Sequence, residues 1–366
     1  MSKKKPSDAE QLSLDLLLEQ QPDKLHKLPI EPNDIGGELL AVLSKGLYTN
    51  PLDCIREYIQ NSVDGRAQNV TIKVTGNSVI IYDDGNGMNL DDLLQARQFG
   101  LSPKLYAEHV GFRGIGIYSG FDLCRRLRIT SKKADDPHVH VLIFEFATMK
   151  NQLDAERGRS VEEGKTSLIE LLSEHTFIKR ESATFPPERH FTQVELQDIG
   201  DFHIRQLSNR TELRRYLLQN LPIDFSDTFE HKRVINTHLA QCVPGYHPIK
   251  IVIQSDGQPD DVVSKYEGLI VRGPAFGYLV NKAGQQIAYY WACLNSQRGH
   301  IDKAESLDGT KYEGFVYKAK GFSVGDRSKL RDMFARKPQL YTWYTGEFYV
   351  LAACRRGISC GPVTVN

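Results

Sequence analysis

A chain of 366 residues is longer than one hydrophobic core ordinarily supports, so two domains are expected. Forty-six basic residues balance forty-six acidic ones, which removes any global attraction to nucleic acid or anionic membrane; 40 % hydrophobic and 25 % charged residues give the profile of a soluble globular protein. The six cysteines form no C-x-x-C pair, against a disulfide framework or zinc cluster, and no apolar run nears the roughly 20 residues that cross a bilayer. MSKKKPSDAE lacks the hydrophobic core of a signal peptide, so the expected location is the cytoplasm.

Residues 1–30 read as a flexible N-terminal arm, in which LSLDLLLEQ (12–20) has the spacing of a short amphipathic helix suited to a docking or dimer contact. A turn around residues 29–34 precedes IGGELLAVLSKGLY, with helical spacing at Leu39, Leu40, Leu43 and Leu47. NPLDCIREYIQNSVDGRA (50–67) is the next helix, with Asn50 as N-cap and Pro51 at the first helical position. NVTIKV and SVIIYD alternate as strands across TGNS, a hairpin. A polar helical stretch (90–99) leads to a flexible segment, FGLSPKLYAEHVGFRGIG, and a helix after it reaches RRLRITSKK, read as a solvated basic strand end. HVHVLIFEFA alternates as a strand with His138 and His140 on one exposed edge, 150–190 read as an irregular surface insertion, and FTQVELQ (191–197) closes the first unit. After the loop DIGDFH, the helix NRTELRRYLLQNLP opens a second unit with strands at IKIVIQ, YEGLIV, QIAYYWACL and YEGFVYKA, a helix near SKLRDMFAR and a strand at GEFYVLAAC. The pattern is α+β in both halves.

Three motifs carry chemistry. On the 50–67 helix, at about 100° per residue, Leu52, Ile55, Ile59 and Val63 form an apolar stripe, while Glu57, Asn61 and Asp64 share a second face roughly opposite. Arg56, Gln60 and Arg66 would serve an ordinary solvent face. A carboxylate–amide–carboxylate row instead suits a magnesium–phosphate site, with an amide oxygen for the hard cation and a carboxylate to orient or deprotonate water. In IYDDGNGM (81–88) a hydrophobic strand runs into two aspartates and two glycines. Asp83 points from the strand's rim, Gly85 and Gly87 let backbone and ligand approach closely, and a carboxylate beside an apolar slot accepts a hydrogen bond from an exocyclic amine such as that of adenine. GFRGIGIYSGFDLC (111–124) is G-x-x-G-x-G leading into a helix, which cradles phosphate through free N–H groups and the helix dipole. A Rossmann site would need that loop directly after the first strand of a parallel βαβ unit; here it follows a long flexible segment. No Walker lysine motif is present, which excludes the P-loop class.

E-x-x-x-N, D-x-G-x-G and G-x-x-G-x-G occur in that order within about 60 residues. IREYIQNSVDG, DDGNGM and GFRGIGIYSGFDLCRRLRITSK resemble the three boxes of the GHKL ATPase superfamily (gyrase, heat-shock chaperone, histidine kinase, MutL), closest in phrasing to the ninety-kilodalton heat-shock chaperones, over about residues 36–197. The resemblance implies a Bergerat-type α/β sandwich, a mixed, largely antiparallel sheet covered by helices, as an ATP-binding domain at 31–200. An α/β transducer-like domain would follow at 201–366. It implies Mg-dependent hydrolysis of ATP to ADP and phosphate, driving lid closure and a dimer-linked conformational change.

By the same resemblance Glu57 activates the attacking water, Asn61 binds magnesium, Asp64 lies near the nucleotide, and Asp83 reads the adenine amine partly through water. Met88 packs near the base, beside Gly85 and Gly87. Gly111, Gly114 and Gly116, with Phe112, Arg113 and Ile115 between them, wrap the phosphates. Segment 97–110 is the ATP lid, where FGLSPK offers Ser102 and Lys104 as phosphate contacts. Thr192 resembles a fourth-box threonine near the adenine aspartate, although Phe191 stands where the family usually has glycine. In YKAKGFSVGDRSK, Lys318, Lys320 and Arg327 are candidates to reach the γ-phosphate; Lys320, in a glycine-flanked turn, is preferred.

Histidine kinase modules generally lack the water-activating carboxylate and a transducer, so Glu57 and the 201–366 half argue against one. A MutL- or MORC-like nucleotide-gated DNA clamp, in repair or antiviral defence, is the alternative to chaperone-like remodelling. The expected partner is a second copy, in a nucleotide-dependent homodimer; a protein client fits the pattern, nucleic acid gains no support from net charge, and no membrane is expected. Because CRRGISCGPVTVN ends soon after a strand, the expectation is a second domain truncated at its C-terminus, or a dimer resting on the N-terminal strand and a partner.

Overall fold

The computed structural model describes residues 34–48, 50–101, 114–159, 164–182, 184–295, 312–325, 327, 331, 338–351 and 364–365. The expectations for 12–20, for Ser102, Lys104, Gly111, Phe112 and Arg113, and for a helix near 328–336 lie outside the described residues. The strands of the first sheet are β1 Asn69–Thr75, β2 Ser78–Asp83, β3 Arg126–Lys132, β4 His138–Phe144, β5 Thr176–Ser182, β6 Phe191–Gln197, β7 Lys250–Ser255 and β8 Asp261–Val263. Their order is β5-β4-β3-β6-β2-β1-β7-β8, antiparallel throughout except where β1 runs parallel to β7. The second sheet has β9 Arg272–Val280, β10 Gln286–Leu294, β11 Gly314–Ala319, β12 Phe322–Ser323, β13 Tyr344–Val350 and β14 Thr364–Val365, in the order β12-β11-β13-β10-β9-β14. The fold is α+β: two mixed, largely antiparallel sheets with helices against them, compatible with a Bergerat sandwich plus a second domain.

Local chemistry explains the elements around the site. Helix α1 (Glu38–Leu47) precedes α2 (Pro51–Asp64), which starts where Asn50 accepts the Leu52 N–H at 3.0 Å and Pro51 fills the first turn. Leu52, Ile55 and Ile59 are buried at 0–1 % exposure in one cluster with Ile72, Ile81 and Leu196 of the sheet, so the predicted stripe does lay α2 on the strands. Gly76, at φ 53, and Asn77 close the two-residue turn that pairs Thr75 with Ser78. Helix α3 (Leu90–Ala96) begins with a capping box, Asn89 with Asp92.

Four expectations need correction. Residues 150–190 hold α4 (Phe146–Ala155), α5 (Leu168–His175) and strand β5, with Thr166, Gln152 and His175 hydrogen-bonded between the two helices. IKIVIQ does form a strand, but β7 extends the first sheet beside β1, burying Ile251 and Ile253 in that sheet's core. YEGLIV is a turn, forced by positive φ at Tyr266 and Gly268, and the strand starts at Arg272. His138 and His140 do not share an exposed edge: His140 is 2 % exposed, with Nε2 2.9 Å from Asp136 Oδ2. Helices α6 (Asp201–Leu207), α7 (Arg210–Asn220) and α8 (Lys232–Cys242) follow; Ile235 and Leu239 of α8 pack with Trp291 and Tyr266 under the second sheet.

Candidate functional site

The site forms where α2 crosses the ends of β2 and β6. Glu57 and Asp64 are half-buried on α2 and Asn61 is exposed between them. Of the neighbours expected on a plain solvent face, Arg66 is exposed and two behave otherwise. Gln60 is buried, and Arg56 donates from Nη2 to the Ser323 carbonyl at 3.1 Å, tying α2 to the second sheet.

The adjacent aspartates divide their work. Asp83, 5 % exposed, ends β2; Ser62 Oγ donates to its Oδ2 at 2.8 Å and the Gly85 N–H to Oδ1 at 2.9 Å. Burial pushes its carboxyl up to about 6, against the lowering effect of those donors. Asp84 instead accepts the Gln68 and Asn69 N–H groups at 2.8 Å and the Asn69 amide at 2.6 Å, pinning the start of β1, and these bonds hold its carboxyl below the usual range despite partial burial. One carboxylate is buried at the end of β2, the other binds the backbone.

The glycines act by close approach. A Cβ at Gly85 would stand 2.8 Å from Asp83 Oδ1 and from the Gly65 carbonyl, and one at Gly87, where φ is 67, would fall 1.8 Å from the Lys132 carbonyl. Gly114 has φ 69, and its carbonyl accepts the Gly100 N–H at 3.0 Å. A helix was expected to follow Gly114; the element is a five-residue 3-10 turn, Gly116–Gly120, so a long-helix dipole is not its contribution. Its two glycines press on α2: a Cβ at Gly116 would lie 2.7 Å from Glu57 Oε2, and one at Gly120 2.8 Å from the Tyr58 hydroxyl. A side chain at Gly116 would push the Glu57 carboxylate aside. Ile115 is half-buried just before it.

Across the sheet, Thr192 on β6 pairs directly with Asp83 on one side and Ser131 of β3 on the other. Phe191, in place of the expected glycine, is buried and stacks on Tyr82 with centroids 5.6 Å apart. Met88 is half-buried against the core, and its N–H donates to Ser131 Oγ at 2.8 Å. The basic strand is solvated at Arg125 and Arg126 but not at Lys132, which is 0 % exposed and whose ammonium donates to the Pro187 and Arg189 carbonyls at 2.9 and 2.8 Å. That holds the loop whose next residue, His190, donates from Nδ1 to the Gly85 carbonyl at 2.7 Å. Ser62, Ser131, Lys132 and His190 were missed by sequence reasoning. The weak signal for Ser62 is its place beside Asn61; for Ser131, its inward register two residues after Ile129.

Of the three second-domain cations, Lys318 is buried at 1 % exposure and donates to the Leu221 carbonyl, while Arg327 donates to the Gly314 carbonyl at 2.8 Å and to the Tyr266 hydroxyl. Lys320, at φ 52, and Gly321 form the turn of the β11–β12 hairpin, half-buried. The following strand carries the Ser323 carbonyl that holds Arg56, the chain neighbour of Glu57.

The donor set fits magnesium. Glu57, Asn61 and Asp64 offer hard oxygens on one side of α2, the donor type that magnesium takes, and the Gly116 turn lies against Glu57. Among the described residues no group of three or more His, Cys, Asp or Glu converges as a metal cage, so a cation here would share its shell with phosphate and water.

Residues 48–176 match the family model described as histidine kinase-, DNA gyrase B-, and HSP90-like ATPase. The chain is 28 % identical over 142 residues to a putative type II restriction enzyme HgiDII of Herpetosiphon aurantiacus, covering 35 % of this chain and 22 % of that protein. It is 26 % identical over 138 residues to the chaperone protein HtpG of Rickettsia rickettsii, covering 29 % and 22 %. These matches thus span 22 % of each relative's length. A crystal structure of the N terminal domain of a DNA repair protein is similar with a TM-score of 0.47 and 12 % identity, over 89 % of this chain and 92 % of that one. The segment 48–176, bearing Glu57, Asp83 and the Gly116 turn, is a GHKL-type ATPase domain within a longer chain.

Proposed function

We propose that the chain binds ATP with magnesium and hydrolyses it to ADP and phosphate, using the cycle to drive lid closure and a nucleotide-dependent homodimer. The observation that carries this is the contact of the Gly116 turn with Glu57: a backbone suited to phosphate lies against a carboxylate suited to water. Asp83, held among the described residues by neutral donors, faces the adenine amine, with Met88 and Thr192 beside the base and Gly85 and Gly87 allowing close approach. The Gly114–Gly116 backbone binds the phosphates. Asn61, with Asp64 nearby, holds the magnesium ion, which when bound offsets phosphate charge. Glu57 orients a water and takes its proton as the water oxygen attacks the γ-phosphorus and the bond to the β-phosphate oxygen breaks, releasing ADP. Lys320 reaches the γ-phosphate from its hairpin turn, which the Arg56–Ser323 bond keeps near α2.

Likeness to HtpG supports chaperone-like work for this cycle, and likeness to a putative restriction enzyme supports a DNA-associated clamp as the second reading. Among the described residues no helix is long and apolar enough to cross a membrane. The test is Glu57→Ala: turnover should fall by about 10²–10⁴-fold while calorimetry shows ATP still bound. Unchanged turnover would remove Glu57 as the base. Adding duplex DNA to the same assay separates the two jobs, since only the clamp reading expects the rate to respond.

A further inference from the structure

The hydroxyl of Ser131 occupies the centre of the wall that ends at Asp83. Ser131 lies opposite Thr192 on β6, and Thr192 lies opposite Asp83 on β2. Its side chain is fully buried at 0 % exposure. Three groups surround its oxygen: the Met88 N–H at 2.8 Å, the Phe191 carbonyl at 2.9 Å and Thr192 Oγ1 at 2.9 Å.

A hydroxyl has one proton and two lone pairs, which decides every direction in this group. The Phe191 carbonyl can only accept, so two oxygens at 2.9 Å attract only if the Ser131 proton lies between them. The Met88 N–H can only donate, and it takes one Ser131 lone pair. One lone pair then faces Thr192, so the proton between the two hydroxyls belongs to Thr192. Any other direction from Thr192 Oγ1 presents a lone pair. Beside it Asp83 already accepts from the Ser62 hydroxyl and the Gly85 N–H, and as a carboxylate it has no proton to give.

We propose that Ser131 is a specificity-positioning residue: by holding the Thr192 proton it makes the wall of Thr192 and Asp83 accept hydrogen bonds only, which selects a purine bearing an amine at its six-position over one bearing a carbonyl. This rests on reading Asp83 and Thr192 as the base-facing wall of a nucleotide site. Without the Ser131 oxygen, Thr192 is released to turn its O–H into the pocket and donate to a carbonyl. The unpartnered Met88 N–H left behind affects both purines alike, so the ratio of their affinities isolates the effect.

The test is calorimetry of ADP and IDP, which differ in that one amine or carbonyl, with magnesium on the full chain. Wild type should prefer ADP, and Ser131→Ala should lower the ADP/IDP affinity ratio by about tenfold. Ser131→Thr, which keeps the hydroxyl, should restore it. Thr192→Val should lower the ratio similarly, and adding Ser131→Ala to it should change nothing further, because both act through one proton. Heat with ADP on wild type but a ratio unchanged in Ser131→Ala overturns this inference alone. No heat with ADP on wild type removes the nucleotide reading and this inference together. Should Ser131→Ala lose cooperative melting, Thr192→Ser against Thr192→Val decides: equal ratios overturn the proposal, and loss only in the valine variant supports it.

Discussion

Asp83 ends a strand of the first sheet and Glu347 sits within β13 of the second, and both are buried, at 5 % and 1 % exposure. Their surroundings differ in one respect. Asp83 meets a hydroxyl and backbone N–H groups, with no cation against it among the described residues, and burial raises its carboxyl to about 6. Glu347 accepts from Lys265 Nζ at 3.1 Å and from the Tyr349 hydroxyl at 2.6 Å. Burial would raise it too, but the charges of Lys265 and Lys318 bring it down to about 2. A buried carboxylate matched by protein cations is complete within the fold, whereas one held by neutral dipoles keeps its charge to offer a ligand. The first sheet therefore carries the candidate site and the second an internal ionic knot.

The largest effect expected from this contrast is on folding. Glu347→Gln leaves the Lys265 ammonium and its neighbours without a counter-charge, which costs roughly 3–5 kcal/mol when one partner of a buried pair is removed. Urea unfolding should record it; a loss under about 1 kcal/mol, the range of exposed pairs, would show that water reaches the knot. Asp83→Asn should behave in the opposite way. It relieves a buried charge but sets an amide against two donors, and these effects oppose each other in stability. Binding, however, loses a charged acceptor, roughly 1.5–3 kcal/mol or ten- to over a hundredfold in ADP affinity. An Asp83→Asn protein that binds ADP normally would break the comparison outright.

Parts of this contrast are legible in the sequence and parts are not. The α2 stripe and the Glu57–Asn61–Asp64 row follow from helical period, and the end of β2 follows from Asp83 stopping an alternating strand, although the carboxylate itself is buried. Periodicity says which residues are inside, but not which distant strand they meet. Ile251 and Ile253 alternate as a core strand, yet nothing local says that β7 lies beside β1. The same limit hides Ser131 and His190, whose roles come from cross-sheet and loop neighbours 43 and 105 residues away. Gly116 reads as the last glycine of a phosphate loop before a helix; with Gly120 four residues on, it also lets a short turn press on Glu57 and Tyr58, which only tertiary packing shows.

A pH profile sharpens the comparison with a smaller effect. An amine donor favours ionised Asp83, so ADP binding expels a proton when the free site is protonated. Affinity should be flat above about pH 6 and fall by up to tenfold per unit below it, within the range where burial has moved this carboxyl. Asp83→Asn should remove that slope, while Glu347→Gln should leave it in any protein that still folds. A profile that stays flat in wild type down to pH 5 would separate Asp83 from the base. For folding the sign is reversed in sense: with the native value raised above 3.8, ionised Asp83 costs stability, which is recovered as pH falls from above 6 towards 4.

The smallest effect belongs to Lys318. Burial lowers its ammonium to about 7, partly countered by Glu347, and its Nζ reaches the Leu221 carbonyl at 3.3 Å. Between about 7 in the fold and 10.5 in the unfolded chain, the unfolded state holds the extra proton, so this group makes stability rise with pH over that window. Lys318→Met keeps the volume, removes the titration and leaves Lys265 to hold Glu347. At pH 7 its stability should lie within about 1 kcal/mol of wild type, since one long hydrogen bond is exchanged for an apolar chain. The difference should then move in favour of wild type between pH 7 and 9. If the two proteins keep a constant gap over that range, Lys318 is not desolvated in the folded chain, and the knot around Glu347 is smaller than Lys265 and Lys318 together make it.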